Sequence, residues 1–369
     1  MKWWPAVLVV LASGLAWADE PAKPNQLTPK EITDGWISLF DGETTFGWKI
    51  DGEAKVENGT LVVGEKNRSE ARFDTPFYSL ELVLELKRTG DSAGLMLDIA
   101  DTKSLANIAT EEWERYQVIH RPMADKSVHT VTSVERDGKW KRLGANQIPI
   151  PEDRVQSVIV LAGPKSQAIL RNIKLRPLGY KPIFNGKDLT GWKEFPGKKS
   201  KWSVSKEGWI HLEDGPGDLQ TEDQWADFIL SAECISNGPH CNSGIFFRCI
   251  PGQYQQGYEA QIRNEWKDED RTKPIDYGTG AIYRRQAARK VVSSDHEWFT
   301  MTIAAHGNHL ATWVNGYQVT DFTDTRPAND NARNGSKTGK GAISLQGHDP
   351  TTNLDFRNIR IVDLPVQMK

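Results

Sequence analysis

The chain reads SGIFFR at residues 243–248, GYEAQIR at 257–263 and GTGAIYR at 278–284. These runs predict two strands and the long loop that joins them to a third. Because successive side chains of a strand alternate faces, Glu259, Gln261 and Arg263 share one face, about 7 Å apart. A carboxylate, an amide and a guanidinium on one side indicate either a functional surface or the solvated side of an antiparallel sheet.

The chain also repeats itself around this stretch. The paired motifs are LFDG (39–42) with IFNG (183–186), GWK (47–49) with GWK (191–193), SAGLML (92–97) with NSGIFF (242–247), EW (112–113) with EW (297–298), and RNIKL (171–175) with RNIRI (357–361). Corresponding positions lie 144 to 186 residues apart, and a period this long indicates two tandem copies of one domain rather than a solenoid.

The second copy is longer at one place. Gly94 and Trp113 are 19 positions apart, whereas Gly244 and Trp298 are 54 apart, so the second copy carries 35 (54 − 19) additional residues. Those residues include the GYEAQIR and GTGAIYR runs. A site that only the second copy possesses should therefore lie in this insertion.

Short strand-like runs separated by Gly, Asn and Asp, with 31 Gly, 19 Pro and 14 Trp in the chain, predict an all-β fold. The Asn315-Gly316 pair between two such runs predicts a type I′ hairpin. Roughly ten strands per copy favour a two-sheet sandwich or jelly roll. We expect two tandem jelly-roll β-sandwich domains, at residues 34–178 and 179–369.

Composition and the N-terminal residues limit the location and the partners. A net charge of −3 gives no electrostatic case for nucleic acid or an anionic membrane surface. A basic start, the apolar run 6–15 and the AWA ending predict a signal peptide at residues 1–18, cleaved after Ala18, and hence a periplasmic or extracellular protein. Residues 19–33 are predicted to be a flexible leader. We expect no transmembrane segment, because no later run of about 20 apolar residues follows.

Three cysteines, Cys234, Cys241 and Cys249, fall within one short window. An oxidising compartment would permit one disulfide and leave a spare thiol. The interpretation we favour is that they are small buried residues around a hairpin, since a tetrahedral metal site needs four clustered ligands.

The second copy resembles a known family. The motifs that carry the resemblance are FNGKDLTGW (184–192), NSGIFFR (242–248), GYEAQI (257–262), GAIY (280–283), GAISLQGH (341–348) and FRNI (356–359). In this order they are similar to the 3-keto-disaccharide hydrolase domain, also described as 3-keto-glucoside lyase/hydratase-like. The first copy resembles the family only at its two ends and has no counterpart of the GYEAQI, GAIY or QGH motifs.

The resemblance implies a concanavalin-like jelly roll, export from a bacterial cell and action on glycosides oxidised at C3 of a sugar ring. Some family members cleave by elimination and hydration rather than by direct hydrolysis. The residues themselves disfavour a conventional two-carboxylate glycosidase, because the strand carries Gln261 where a second acid is expected. Glu265, Asp268 or Asp276 on the following loop would be the alternatives.

A 3-keto sugar has an acidic C2 proton, so its cleavage requires a base, a group that holds the enolate oxygen and an acid for the leaving oxygen. We assign Glu259 as the base, with its pKa raised by burial. Arg248 would hold the enolate and His348 would be the acid. Surface pairing of Arg248 and a simple turn role for His348 remain alternatives.

We assign substrate binding to Gln261, Tyr283, Arg263 and Trp266, the last by stacking on a sugar ring, although Tyr283 would equally suit the core. The sequence indicates no cofactor with certainty. It permits a divalent metal held by Glu259 and His348, although it contains no tight ligand motif.

Taken together, the sequence predicts an exported enzyme that cleaves 3-keto-glycosides by hydrolysis or by elimination and hydration. Its partner is an oligosaccharide or glycoside substrate. The second copy would be catalytic and the first a degenerate copy, and the sequence leaves open whether the two copies pack together. A carbohydrate-binding protein without turnover is the alternative, since jelly rolls host both functions. A purely structural cell-surface module is a third hypothesis.

Overall fold

A computed structural model describes residues 23–97, 110–123, 125, 127–149 and 155–365. The predicted signal peptide lies outside these residues. In the described part the chain forms one short helix, α1 (Pro29–Thr33), and 25 strands, which confirms the all-β prediction. Among those residues no helix is long and apolar enough to cross a membrane.

We call residues 34–178 unit one and residues 179–365 unit two. The strands of unit one are β1 (Ile37–Ser38), β2 (Trp48–Asp51), β3 (Ala54–Glu57), β4 (Thr60–Val63), β5 (Ser69–Phe73), β6 (Leu80–Thr89), β7 (Ala93–Leu97), β8 (Glu114–Pro122), β9 (Ser127–Arg136), β10 (Lys139–Pro149), β11 (Val158–Ala162) and β12 (Gln167–Pro177).

The strands of unit two are β13 (Lys181–Pro182), β14 (Trp192–Glu194), β15 (Lys201–Val204), β16 (Ile210–Glu213), β17 (Gly217–Thr221), β18 (Phe228–Ser236), β19 (Ser243–Cys249), β20 (Tyr258–Ile262), β21 (Phe299–His306), β22 (His309–Val314), β23 (Tyr317–Thr323), β24 (Ala342–Gly347) and β25 (Asn353–Asp363).

The two units have the same sheet topology. The large sheet of unit one has the order β10-β9-β8-β6-β12-β4-β3, with β1 beside β12, and that of unit two has the order β23-β22-β21-β18-β25-β16-β15, with β13 beside β25. The small sheets are β2-β5-β11-β7 and β14-β17-β24-β19-β20. Each unit is therefore a two-sheet sandwich, and within the described residues unit two has one additional strand, β20, which lies in the insertion.

The repeated motifs make the same local contacts in both units. The indole nitrogen of Trp48 donates to the carbonyl of Leu39 at 2.7 Å, and that of Trp192 donates to the carbonyl of Ile183 at 2.9 Å. Each Trp thus ties the start of the small sheet to the strand that opens its unit. The satisfied indole N–H lets the ring be buried without a desolvated donor.

The closing Arg-Asn-Ile motif is also used in the same way twice. Glu85 accepts from Arg171 and Asn172, and Glu233 accepts from the corresponding Arg357 and its neighbour Asn358. Both Asn residues have positive φ, 52° and 50°, a conformation that Asn tolerates better than most residues. The repeated motif therefore specifies the same β-bulge in the last strand of each unit.

The two units share a packed interface. Trp313 on β22 of unit two is fully buried in the core of unit one, 6.4 Å from the ring of Phe73. Its indole nitrogen donates to the carbonyl of Ser38 at 3.1 Å, and Arg289 contacts Asp41 at 2.6 Å. An aromatic side chain buried between two sandwiches stabilises their contact by the hydrophobic effect. The two copies therefore pack against each other.

Part of the expected flexible leader is folded. Residues 23–33 include helix α1, whose N-cap Thr28 and third residue Glu31 form a reciprocal capping box. Glu31 also pairs with Lys174 of unit one. The Thr-Pro-x-Glu pattern is a helix-start signature, so composition alone was misleading for these residues.

The three cysteines, Cys234, Cys241 and Cys249, are unpaired and buried. Cys234 lies in β18 and Cys249 ends β19, where small apolar side chains fit a sandwich core.

Candidate functional site

The additional strand β20 forms the edge of the small sheet in unit two. It pairs with β19 so that Glu259 lies opposite Phe246 and Gln261 opposite Gly244. Glu259 and Gln261 thus share one face, as alternation predicts. That face is not solvated, because loops cover it and leave the two side chains only 4% and 1% exposed.

A polar cavity of about 460 Å³ lies over this face. Four residues assigned from sequence line it, Glu259, Gln261, Tyr283 and His348. Seven further lining residues were not predicted: Asn242, Tyr254, Gln255, Gln256, Arg284, Arg333 and Gln346. The cavity is therefore rich in amides and contains cationic groups beside one buried carboxyl.

Glu259 is the most perturbed group in the cavity. Burial raises the pKa of Glu259 to about 8, and the neighbouring Arg333 guanidinium, 3.5 Å from a carboxyl oxygen, opposes that shift. The carboxyl fits because Gly244 lies diagonally across from it on β19: a Cβ there would stand 3.0 Å from Oε1 of Glu259. A buried carboxyl that titrates near neutrality is suited to proton transfer.

Gln261 is held rigidly but has a free acceptor. Its Nε2 donates to Asp276 at 3.1 Å and to Asn242 at 3.3 Å. Its Oε1 is buried without a hydrogen-bond partner among the described residues, and so is Oε1 of Gln346. Buried polar atoms are nearly always paired in native proteins, so these two oxygens mark places where ligand hydroxyls would donate.

His348 lies at the mouth of the cavity, with its side chain 44% exposed. Its Nδ1 is 2.8 Å from Oδ2 of Asp349, which fixes the orientation of the ring. A ring held in this way can present its other nitrogen to a ligand.

Arg333 lies beside Glu259 in the cavity, where the sequence had predicted the cation to be Arg248. Its guanidinium lies 5.2 Å from the centre of the Phe246 ring, and its Nε donates to the carbonyl of Gln255 at 2.9 Å. It comes from a loop far from β20 in sequence, and no pattern in the sequence connects the two segments.

The site role predicted for Arg248 is corrected. Arg248 is fully buried, pairs with Asp227 at 2.9 Å and donates to three backbone carbonyls, outside the residues that line the cavity. A register shift between Phe246 and Cys249 breaks the alternation on which its assignment depended. With φ of 51° it is a structural residue of the bulge.

Arg263 and Trp266 also lie away from the cavity lining. Strand β20 ends at Ile262, so both residues belong to the next loop. Arg263 pairs with Glu265, and Trp266 packs under the guanidinium of Arg271 at 4.1 Å. Their predicted role in substrate binding is therefore corrected as well, because local partners occupy both side chains.

Asp218 on β17 is a second buried carboxyl near the site. It is 1% exposed, and burial raises its pKa to about 7. It lies opposite Gln346 in the sheet, on the same face as the cavity. The only sequence signal for it is the alternation of two polar residues in GDLQT (217–221), which is too short to identify a site.

Glu259 and His348 belong to no cluster of three potential metal ligands in the described part of the chain. One such cluster is present there, Asp74, His309 and Asp321, at the contact between the units. His309 lies 3.2 Å from Asp321 and 3.6 Å from Asp74, so it bridges the two units by ion pairs when protonated.

Comparison with known proteins gives several weak structural similarities. A protein from Parabacteroides distasonis, provisionally named a glycosyl hydrolase, is 25% identical over 50% of this chain and 94% of its own, with a TM-score of 0.42. A carbohydrate-binding module from Bacillus subtilis is 16% identical over 46% and 93%, with a TM-score of 0.34. A Bacillus subtilis protein of unknown function with a galectin-like fold is 12% identical over 52% and 97%, with a TM-score of 0.35.

No curated protein matches the chain. A family profile does: it is described as the 3-keto-alpha-glucoside-1,2-lyase-like domain and matches residues 35–121 and 179–362, together well over half of the sequence. The chain therefore belongs to the 3-keto-alpha-glucoside-1,2-lyase-like domain family.

Proposed function

We propose that unit two is an enzyme that cleaves the glycosidic bond of 3-keto-glycosides by elimination and subsequent hydration. The observation that carries the proposal is the Glu259 carboxyl on the floor of the polar cavity. Burial raises the pKa of this carboxyl to about 8, and the cationic Arg333 lies beside it. Family membership supplies the class of sugar.

The residues of the cavity suit the steps of such a reaction. The C3 ketone acidifies the C2 proton, which the Glu259 carboxylate removes. The enolate charge that develops on the C3 oxygen faces Arg333, the cation next to the base. As the enolate collapses, the C1–O bond breaks and a C1–C2 double bond forms. His348 gives a proton to the departing oxygen. Water then adds its oxygen to C1 and gives a proton back to His348, while Glu259 returns its proton to C2, which yields the free 3-keto sugar.

Unit one is, in this proposal, a degenerate and non-catalytic copy. Its small sheet has four strands in the described residues and no counterpart of Glu259. Its role would be to pack against unit two through the interface around Trp313.

A carbohydrate-binding protein without turnover is the second candidate. The amides of the cavity, among them Gln256, Gln261 and Gln346, favour it, because amides recognise sugar hydroxyls whether or not a reaction follows. This candidate makes no use of the perturbed carboxyl.

The two candidates are distinguished by incubating the full chain with a 3-keto-disaccharide and with its unoxidised parent and measuring sugar release. We expect release from the keto form alone. Binding of both sugars without any release would replace the enzyme by the binding protein, and release from the unoxidised parent would contradict the elimination chemistry.

Export of the protein is part of the proposal and is supported by the sequence of residues 1–18 alone. Protein recovered from the periplasm or the medium should begin at Asp19 when its N-terminus is sequenced. Cytoplasmic protein that retains Met1 would contradict export.

A further inference from the structure

The face that carries Glu259 continues beyond the open cavity. In the register of the small sheet, Gln220 lies opposite Ser344, Ser344 opposite Phe246, and Phe246 opposite Glu259. One row of side chains thus crosses four strands, from β20 to β17, on a single face. With strands about 4.8 Å apart, the row is roughly 14 Å long, which is longer than one sugar ring requires.

A loop covers the far half of this row. Residues 250–257, which we call the strap, connect β19 to β20, and their outer side is exposed. The backbone N–H of Gly252 donates to Oε1 of Gln220 at 2.9 Å, and that of Gln255 donates to Oδ2 of Asp218 at 3.3 Å. The strap therefore rests on the two polar side chains of β17.

Polar atoms remain unpaired beneath the strap. Oδ1 of Asp218, Nε2 of Gln220 and Oγ of Ser344 are buried and have no hydrogen-bond partner among the described residues. The three side chains are 1%, 5% and 0% exposed. Ser344 lies beside Asp218 and lowers the pKa of its carboxyl through a side-chain hydrogen bond of poor geometry, so Nε2 of Gln220 is the most clearly unpaired atom of the three. Such groups destabilise a fold unless something pairs with them.

Unit one shows that the fold does not need these groups. The positions equivalent to Asp218 and Gln220 are Glu70 and Arg72, which pair with each other at 3.1 Å. The position equivalent to Ser344 is the buried Ile159. The same sheet therefore folds with satisfied or apolar residues at these places, and the unpaired set belongs to unit two.

The unpaired atoms select a class of ligand. Together they offer an acceptor, an amide donor and a hydroxyl, and a sugar hydroxyl can both donate and accept. The Asp218 carboxyl disfavours an anionic ligand, and the polar floor disfavours an apolar one. Tyr254 of the strap provides an aromatic wall, packed between Phe195 at 5.8 Å and the ammonium of Lys198 at 3.8 Å.

The strap is closed on itself, and apart from its contacts with β17 it is tied to the loop after β23 by hydrogen bonds from Nε of Arg333 to the carbonyl of Gln255 and from Nδ2 of Asn331 to Oε1 of Gln256. Its ends are joined to each other, because the N–H of Ile250 donates to the carbonyl of Gln256 at 2.9 Å. Gly252, with φ of +71°, has no atom within 4 Å of where a Cβ would lie, so its backbone is unobstructed. Lifting would free the floor of β17 and lengthen the cavity into a groove.

We infer that the strap covers a second sugar-ring subsite, with Asp218, Gln220 and Ser344 as its floor, and that unit two binds a disaccharide across both halves of the face. The inference rests on the proposed function only in taking a glycoside as the ligand. It assigns the open cavity to the ring that reacts and the covered half to the leaving ring.

The test measures dissociation constants of the full chain for a 3-keto-disaccharide and a 3-keto-monosaccharide, both in the Glu259→Gln background so that neither is consumed. We expect the disaccharide to bind at least tenfold more tightly. Gln220→Leu should remove most of that difference and leave the monosaccharide constant within twofold. Arg72→Leu, the equivalent position of unit one, is the matched control and should change neither constant.

Hydrogen exchange of the Glu259→Gln protein, which keeps Gln220, provides a second readout. This readout does not depend on whether Gln220→Leu folds. The amides of Gly252 and Gln255 should exchange faster with the disaccharide bound than with the monosaccharide bound. Equal affinities for the two sugars, equal weakening of both by Gln220→Leu, or slower exchange of both amides with the disaccharide would each overturn the subsite.

Failure of the enzyme and failure of the subsite give different results. A protein that releases no sugar but shows the affinity pattern keeps the subsite and loses the proposed reaction. A protein that turns over the disaccharide yet binds both sugars equally keeps the reaction and loses the subsite.

Discussion

The two units carry the same sandwich and differ in what their small sheets present on one face. At equivalent positions unit one has Leu161 where unit two has Gln346. The edge strand of unit two that carries Glu259 has no counterpart in the described residues of unit one. The difference teaches that the sandwich folds without a polar face, so the fold itself does not require the polar residues of unit two.

The largest effect should come from Glu259→Gln. Removing the base while keeping the shape of the side chain should lower turnover of a 3-keto-disaccharide by about 10²–10⁴-fold. Glu70→Gln, a carboxylate on the corresponding face of unit one, is the matched control and should leave turnover unchanged. Full turnover in Glu259→Gln would remove this residue from the mechanism and leave the two units chemically equal.

Exchanging one residue between the units should have the next largest effect. Gln346→Leu introduces the residue of unit one into unit two, and sugar affinity should fall about tenfold for one lost hydrogen bond. The melting temperature should stay equal or rise, because an unpaired buried oxygen is removed. In the reciprocal variant Leu161→Gln, affinity should not change and stability should fall. An unchanged affinity in Gln346→Leu would show that this position does not contact the sugar.

A smaller effect is expected from Arg333→Met, read from the pH profile. Because Glu259 acts as a base with a pKa of about 8, kcat/KM of the native chain should rise with pH through that value. The cation of Arg333 lowers this pKa, so its removal should shift the rising limb to higher pH and reduce the plateau about tenfold. Arg333→Lys keeps the charge and should keep the limb in place. If kcat/KM fell above pH 8 instead, Glu259 would act as an acid in the reaction.

The smallest effect is expected from Gly244→Ala. A methyl group 3.0 Å from the Glu259 carboxyl is tighter than an ordinary contact and should displace it slightly. Turnover should fall several-fold while the melting temperature changes little. Gly94→Ala, at the equivalent position of unit one, should not affect turnover. Equal activity in both variants would show that the position of the carboxyl has some tolerance.

Much of the fold could be read from sequence because it depends on local rules. The repeated motifs make the same contacts in both units, and the changed spacing between them falls where the structure has β20. Glu259 and Gln261 share one face, as predicted, because side chains alternate along a regular strand. Arg248 was misplaced for the same reason: the register shift after Phe246 breaks the alternation, and nothing in SGIFFRC announces it.

The remaining parts of the site depend on distant segments that meet only in the folded chain. Arg333 reaches the cavity from a loop after β23, and Asp218 belongs to a strand three positions across the sheet from β20. Their polar character is visible in the sequence but their proximity is not. Pairing of strands across a sheet is a tertiary property, which single-sequence patterns do not encode.

The indole of Trp313 belongs to unit two but is buried in the core of unit one. We therefore expect the two units to unfold together. Separating them would bare a large apolar surface on both, so neither half melts independently and calorimetry should record a single transition. Unit one can therefore change the residues on its small sheet, but it must keep its fold because Trp313 of unit two is buried in its core. The copy that lacks the edge strand β20 among its described residues thus supplies the core in which Trp313 of the other copy is buried.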